Sequence, residues 1–150
     1  MKDALDEAKE ELKRADHQVF VSLKYTRTVD VLKHSVTRIM NTYDFLFTSL
    51  CRKLVEEGKI SEVPIAPIPR AKRVKEAYED NEAVQEAVES FLHLRKIDKA
   101  EFDRSREFRR HVTMHAFLSE DIIEEVNIDK VTEWYKKVKE FTEYVENKLL

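Results

Sequence analysis

Glycine and proline are scarce in this chain, which has one glycine and three prolines in 150 residues. Tight β-hairpin turns rely on Gly, Asn and Asp, so this composition leaves little turn chemistry for a β-rich fold. A glycine-rich phosphate-binding loop is excluded too, because Gly58 is the only glycine. We therefore expect a nearly all-helical protein without such a nucleotide site.

Cysteine and long apolar runs are also lacking. Cys51 is the single cysteine, which excludes an intramolecular disulfide and a cysteine metal site and favours a reducing compartment. No apolar stretch approaches the roughly 18 residues of a membrane span. The N-terminal sequence MKDALDEAKEELK is charged throughout, unlike a secretory signal. We expect a cytoplasmic protein without membrane contact.

Neither sign of charge predominates, because 27 Lys and Arg oppose 30 Asp and Glu, for a net charge of -3. The field of the whole protein therefore does not attract polyanions, and nucleic-acid binding would require a local basic patch. The charged residues, at 38%, and the hydrophobic residues, at 42%, supply ample material for amphipathic helices.

Apolar residues recur at helical spacing along the first third of the chain. The first stripe predicts a helix that ends near Tyr25, and Thr26 or Thr28 can cap a second helix from Val29 to Glu57, which Gly58 ends. The second helix is on the order of 40 Å long, so we expect it to be the centre of a bundle. Its predicted buried positions are Val29, Leu32, Val36, Ile39, Tyr43, Leu46, Leu50 and Leu54.

The second helix carries more apolar residues than one neighbour can cover. The additional residues are Met40, Phe45, Phe47 and Cys51. They predict either several surrounding helices or a face that packs on a second subunit, and we expect a homodimer.

The remaining segments predict shorter helices. The proline-rich stretch Ser61 to Arg70 predicts an extended connector. Residues 71–78 and 83–94 predict two short helices, or one helix that is broken between them. A capping-box pattern predicts a helix from Lys99 to about Phe117, and Ser119 is placed to cap a further short helix.

The last stripe predicts a C-terminal helix, which completes the set of elements. Its apolar positions are Val131, Trp134, Val138, Phe141, Val145 and Leu149. The elements together predict an all-α fold, a compact helical bundle of about five to six helices around the long second helix. We find no internal boundary and expect a single domain over residues 1–150.

The segment Glu101 to Ser119 stands out because four arginines and two histidines are concentrated in it. The cations are Arg104, Arg106, Arg109, Arg110, His111 and His115. One interpretation is a solvated helix face, since Asp103 and Glu107 are interspersed among them. On a helix His111 and His115 would share a face, as two metal ligands would, but no third ligand accompanies them at a diagnostic spacing. We expect no metal and no cofactor.

Arg110 and His115 form an R-x(4)-H motif within this predicted helix. This motif, in the second half of a compact helical chain with a long second helix, resembles the HEPN superfamily. The resemblance implies a metal-independent endoribonuclease of the toxin, RNA-processing or defence type, with two motifs meeting at a homodimer cleft. It also allows an antitoxin or a nucleotidyltransferase as partner, although Phe117 stands where one branch of the family has a modified tyrosine.

The resemblance implies a role for each residue of the cluster. His115 would act as general acid or base, Arg110 would stabilise the charge on the phosphate, and His111 would orient the substrate or share the proton transfer. Arg106 and Arg109 would hold flanking phosphates of the RNA. The alternative is a non-catalytic helical module for dimerisation, nucleotide binding or partner binding.

Overall fold

The structure, a computed structural model, describes the backbone of residues 2–150 and the side chains of residues 3–150. It contains five helices and a small antiparallel sheet. Helix α1 spans Lys2–His17 and continues through a π-helical turn at Gln18–Ser22 and a helical segment at Leu23–Tyr25. The other helices are α2 (Val29–Glu56), α3 (Pro67–Ala77), α4 (Glu82–Lys99) and α5 (Ile128–Tyr144), which ends in a π-helical turn at Val145–Leu149.

Helix α2 is the central element, as the sequence predicted. Thr28 caps it, because the Thr28 side chain accepts a hydrogen bond from the Val31 backbone N–H. Gly58 follows its end with a positive φ of 74°, a conformation that favours glycine. All eight predicted stripe residues are at most 3% exposed, and α2 contacts each of the other four helices.

The additional apolar residues of α2 are covered within the chain. Met40, Phe47 and Cys51 are buried, and the partly buried Phe45 packs against the same core. Burial raises the pKa of the Cys51 thiol to about 11, as a thiol in an apolar core requires. The several surrounding helices therefore account for the wide stripe. The homodimer remains a prediction, and the stripe no longer supports it.

The connector before α3 is shorter than predicted. The prolines make an extended segment only as far as Ala66, and Pro67 then begins α3, a position where the missing proline N–H is not needed. Arg70 of α3 holds the start of this helix against α2, because it donates hydrogen bonds to Asp44 Oδ1 and Oδ2 at 3.1 and 2.9 Å. The break between the next two helices is confirmed, because Asn81 caps α4 through the Val84 N–H at 3.1 Å.

The predicted helix from Lys99 to Phe117 and the short helix after Ser119 are wrong. This part of the chain forms strands β1 (Glu101–Ser105), β2 (Thr113–Phe117) and β3 (Ile123–Asn127). The strands pair antiparallel in the order β1-β2-β3. The protein is therefore mainly helical, and the prediction of an all-α fold is wrong in this detail.

The alternation of side chains along β2 explains why a strand is favoured over a helix. Met114 and Ala116 are at most 1% exposed and pack on the helices, whereas Thr113, His115 and Phe117 face the other way. This alternation has the period of two residues that a strand with one buried face requires. The sheet thus adds an inner layer to the core and leaves its outer face to solvent.

No helix in the described part of the chain is long and apolar enough to cross a membrane.

We predict that Phe47→Ala lowers the free energy of unfolding by about 3–5 kcal/mol, because it removes a large buried side chain from the centre of the bundle. The ring of Phe47 is 0% exposed and lies 5.5 to 6.3 Å from those of Phe91, Tyr43 and Phe141. Urea denaturation measures the change. Ile65→Ala is the control, since Ile65 is 96% exposed; equal losses in both variants would contradict the proposed core.

Candidate functional site at the α1–α2 corner and the β1–β2 loop

Arg110 and His115 lie on different elements and contact different partners. Arg110 belongs to the loop between β1 and β2, and its Nη2 donates to Asp129 Oδ1 at 2.8 Å. His115 lies at the middle of β2, where its Nε2 is 2.8 Å from Ser105 Oγ. The two residues of the motif therefore share no partner in this structure, and the expectation that His111 and His115 share a helical face is wrong.

His115 lies between two carboxylates on the outer face of the sheet. It is directly opposite Asp103 on β1 and Glu125 on β3, and its Nδ1 is 3.9 Å from Glu125 Oε1. The side chain is 29% exposed, so it is accessible to a substrate. A histidine held between a hydroxyl and a carboxylate is suited to proton transfer, but the neighbouring carboxylates do not attract a phosphate.

The β1–β2 loop is fastened to the corner between α1 and α2. The Phe108 N–H donates to the Arg27 carbonyl at 2.6 Å, and Glu107 Oε2 accepts from the Val29 N–H at 3.4 Å. Glu107 thereby lies at the N-terminus of α2, where the helix dipole favours a carboxylate. Arg104 adds an ion pair with Asp30 at 2.9 Å.

The loop contains two non-glycine residues with positive φ, Arg106 at 54° and Phe108 at 65°. Such a conformation costs on the order of 1–3 kcal/mol per residue and persists where surrounding contacts hold it. The Phe108 N–H and the Glu107 carboxylate supply those contacts. The loop is thus kept in a strained shape that places its side chains in solvent.

Phe108 is turned outward, although the nearby Val112 is buried. The Phe108 side chain is 78% exposed, whereas Val112 is 0% exposed. Tyr25, at the end of α1, is 77% exposed, and Lys24 Nζ lies 5.7 Å from the centre of its ring. Two large aromatic rings are therefore presented to solvent by two segments that the bond from Phe108 to Arg27 joins.

Unpaired cations precede and follow Phe108 along the loop. Arg106 and Arg109 are exposed, and within the described residues neither side chain has an ion-pair or hydrogen-bond partner. Arg27 also lacks an ion pair there, and its Nε is buried without a partner. We call the group Lys24, Tyr25, Arg106, Phe108 and Arg109 the corner surface.

The local charge at the corner surface differs in sign from that of the whole chain. The nearby carboxylates are Asp30, Glu107 and Asp129. The nearby basic residues are Lys24, Arg27, Arg104, Arg106, Arg109 and Arg110. The excess of basic residues makes this a local patch that a polyanion can contact.

Arg106 and Arg109 are site residues that the sequence predicts, whereas Lys24, Tyr25 and Phe108 are site residues that it does not predict. An aromatic residue flanked by arginines in R-E-F-R-R was the available signal for Phe108. Tyr25 gave no such signal, because its relation to the loop depends on a contact between segments about 80 residues apart along the chain.

The part of the chain that the structure describes contains no candidate metal centre. Among the residues that the structure describes, no group of three His, Cys, Asp or Glu side chains is placed to hold a metal ion. His111 is exposed and lies at the end of the loop, two residues before β2 begins. The chain matches no protein-family model, no curated protein and no solved structure in the comparisons made.

We predict that Asp30 titrates below an ordinary aspartate because Arg104 donates a hydrogen bond to its carboxylate, which lowers its pKa. The stabilisation from this contact is complete above the pKa of an unfolded aspartate and is lost as the pH falls through the lowered pKa. NMR titration of the Asp30 carboxyl carbon measures the effect. In Arg104→Gln the pKa should rise toward the ordinary value.

Arg110→Gln is the matched control, since Arg110 pairs with Asp129 instead, and it should leave the titration of Asp30 unchanged. An Asp30 titration that is identical with and without Arg104 would show that the ion pair does not hold the loop.

Proposed function

We propose that the protein binds single-stranded RNA at the corner surface. The observation that carries the proposal is the pair of exposed rings, Tyr25 and Phe108, at 77% and 78% exposure, beside the unpaired cations Arg106 and Arg109. Unpaired bases stack on such rings, and arginines next to them contact the phosphates. This proposal extends the non-catalytic alternative, a module for dimerisation, nucleotide binding or partner binding, to RNA, the ligand that the HEPN resemblance implies.

The geometry of the loop supports this assignment over a general surface role. A buried position would be more favourable for Phe108, because burial of a phenylalanine side chain contributes about 1.5–3 kcal/mol to the free energy of folding. The chain instead holds Phe108 outward through a backbone conformation with positive φ. A preorganised ring loses less conformational entropy when a base stacks on it.

Arg110 is available to the same ligand. Its ion pair with Asp129 is exposed, with 49% and 79% of the two side chains accessible, and pairs of this kind contribute at most about 1 kcal/mol. A phosphate can therefore replace Asp129 at little cost. Binding would extend from the rings along the loop toward His111.

We predict that Phe108→Ala and Tyr25→Ala each weaken binding of a labelled oligouridine about 5- to 150-fold, which corresponds to about 1–3 kcal/mol per stacked base. Fluorescence anisotropy at several salt concentrations measures the affinity. Arg106→Gln and Arg109→Gln should each reduce the slope of log K against log salt by about 0.7, as expected for one lost phosphate contact.

The controls are Phe117→Ala and Arg52→Gln, which alter an exposed ring on the sheet and an exposed arginine near the far end of α2. Both should bind as the unmodified protein does. Equal losses in the controls would show nonspecific attraction, and tighter binding of oligothymidine than of oligouridine would replace RNA by DNA. The absence of binding to either strand would refute the proposal.

A second candidate function is cleavage of the bound RNA, as the HEPN resemblance implies. The observation that favours it is the contact of His115 with Ser105 and Glu125, which orients an accessible imidazole. His115 would take the proton of a ribose 2'-hydroxyl, whose oxygen attacks the phosphorus, while the 5'-oxygen leaves with a proton from His111. Arg110 would leave Asp129 and stabilise the charge on the phosphate.

Cleavage of this kind gives a 2',3'-cyclic phosphate and a 5'-hydroxyl, and no metal takes part. We predict that any RNase activity of the purified protein survives EDTA and is lost in His115→Ala. Mass spectrometry of the products identifies the cyclic phosphate. Activity that persists in His115→Ala, or that zinc or magnesium restores after chelation, would leave the protein as a binding module.

The remaining expectations about partners and location follow from this proposal. A homodimer would bring two corner surfaces to one strand of RNA, and an antitoxin would act by covering the loop. A nucleotidyltransferase finds no hydroxyl acceptor in residues 106–112. A cytoplasmic location agrees with RNA as the ligand.

A further inference from the structure

A serine, a histidine and a glutamate lie next to one another on the outer face of the sheet, one from each strand. Ser105 ends β1, His115 is in the middle of β2, and Glu125 is directly opposite the histidine on β3. His115 Nε2 is 2.8 Å from Ser105 Oγ, and His115 Nδ1 is 3.9 Å from Glu125 Oε1. A hydroxyl, an imidazole and a carboxylate in this order form the arrangement that activates a serine as a nucleophile.

The carboxylate decides which nitrogen of His115 carries the proton. Because Glu125 lies on the Nδ1 side, it favours the tautomer with the proton on Nδ1. Nε2 then has a free lone pair, which accepts the hydrogen bond that the Ser105 hydroxyl donates. The distance to Glu125 is longer than a hydrogen bond, as is common in a site before its substrate binds. Ser105 is therefore placed to give its proton to His115.

The surroundings of the histidine select an uncharged substrate. Ser105 is half-buried and 29% of the His115 side chain is exposed, so a substrate can reach both from the solvent. Asp103 and Glu125 lie on the two sides of His115, and two carboxylates do not attract a phosphate ester. A carboxylic ester without charge is not repelled. Arg106, the residue after Ser105, has no ion-pair partner among the described residues and is the nearest cation along the chain to stabilise an oxyanion.

We propose that Ser105 is the nucleophile of an esterase reaction on small, uncharged carboxylic esters. The Ser105 hydroxyl gives its proton to His115 Nε2 while its oxygen bonds to the acyl carbon. The bond to the alcohol then breaks, and the alcohol leaves with the proton from His115. Water gives a proton to His115 and attacks the acyl carbon, the bond to Ser105 breaks, and the serine oxygen takes the proton back as the carboxylic acid leaves. Glu125 is a positioning residue, because it acts through the imidazole.

Labelling of the full chain with an uncharged fluorophosphonate tests the nucleophile, because this probe bonds to an activated serine oxygen and releases fluoride. Mass spectrometry should place the adduct on Ser105. We expect the adduct to be absent in Ser105→Ala and to form at least about 100-fold more slowly in His115→Ala. Hydrolysis of p-nitrophenyl acetate should fall in the same two variants.

Glu125→Gln tests the positioning role. We expect labelling to be roughly tenfold slower in this variant, because the carboxylate that favours the reactive tautomer is removed. The ¹⁵N shifts of the His115 ring should show less of the tautomer with the proton on Nδ1, a change that a purely structural carboxylate would not cause. Glu125→Asp should restore part of the rate.

Ser119→Ala and His17→Ala are the matched controls, because both residues are exposed, in the turn between β2 and β3 and at the end of α1. Both should leave the labelling unchanged, and circular dichroism verifies that each variant is folded. Absence of an adduct, an adduct on another serine, or equal labelling with and without His115 would overturn the proposal. The reactions contain no RNA, so their outcome does not depend on RNA binding at the corner surface.

Discussion

The burial of the apolar stripe of one helix is the constraint on which the rest of the structure depends. Helix α2 contacts the other four helices, and its stripe residues from Val29 to Leu54 are almost entirely withdrawn from solvent. Burial of an aliphatic or aromatic side chain contributes about 1.5–3 kcal/mol, so this helix supplies a large share of the stability. Because contacts with all four other helices fix its position, its N-terminus is a rigid point to which a strained loop can be attached.

The candidate site follows from that attachment. Glu107 and Phe108 contact the residues at the start of α2, and these contacts offset the cost of two positive φ angles. The same contacts keep Phe108 outward, close in space to the segment that carries Tyr25. Stability of the bundle is therefore linked to the shape of the corner surface, and loosening the start of α2 should disturb the loop before it disturbs the core.

The helices could be predicted from the sequence because their apolar period is local and long. The stripe of α2, its cap at Thr28 and the break at Asn81 all follow from neighbouring residues. The sheet could not be predicted in this way, because a chain with a single glycine is expected to form few hairpin turns. Arg106 and Phe108 adopt the conformation that glycine usually supplies, and a contact with Arg27, distant in sequence, stabilises it. The arginines of the site can be predicted because they are neighbours in the sequence. Tyr25 cannot, because only the contact between Phe108 and Arg27 brings its segment to the loop.

The most direct test of the central claim is NMR mapping of an oligouridine on the ¹⁵N-labelled protein. We expect the largest chemical-shift changes at Lys24 and Tyr25 and between Arg106 and His111, with smaller changes along the outer face of β2. Changes concentrated elsewhere, for example in the groove between α4 and α5 that Tyr43 and Phe141 line, would contradict it. No change at any residue would contradict it equally.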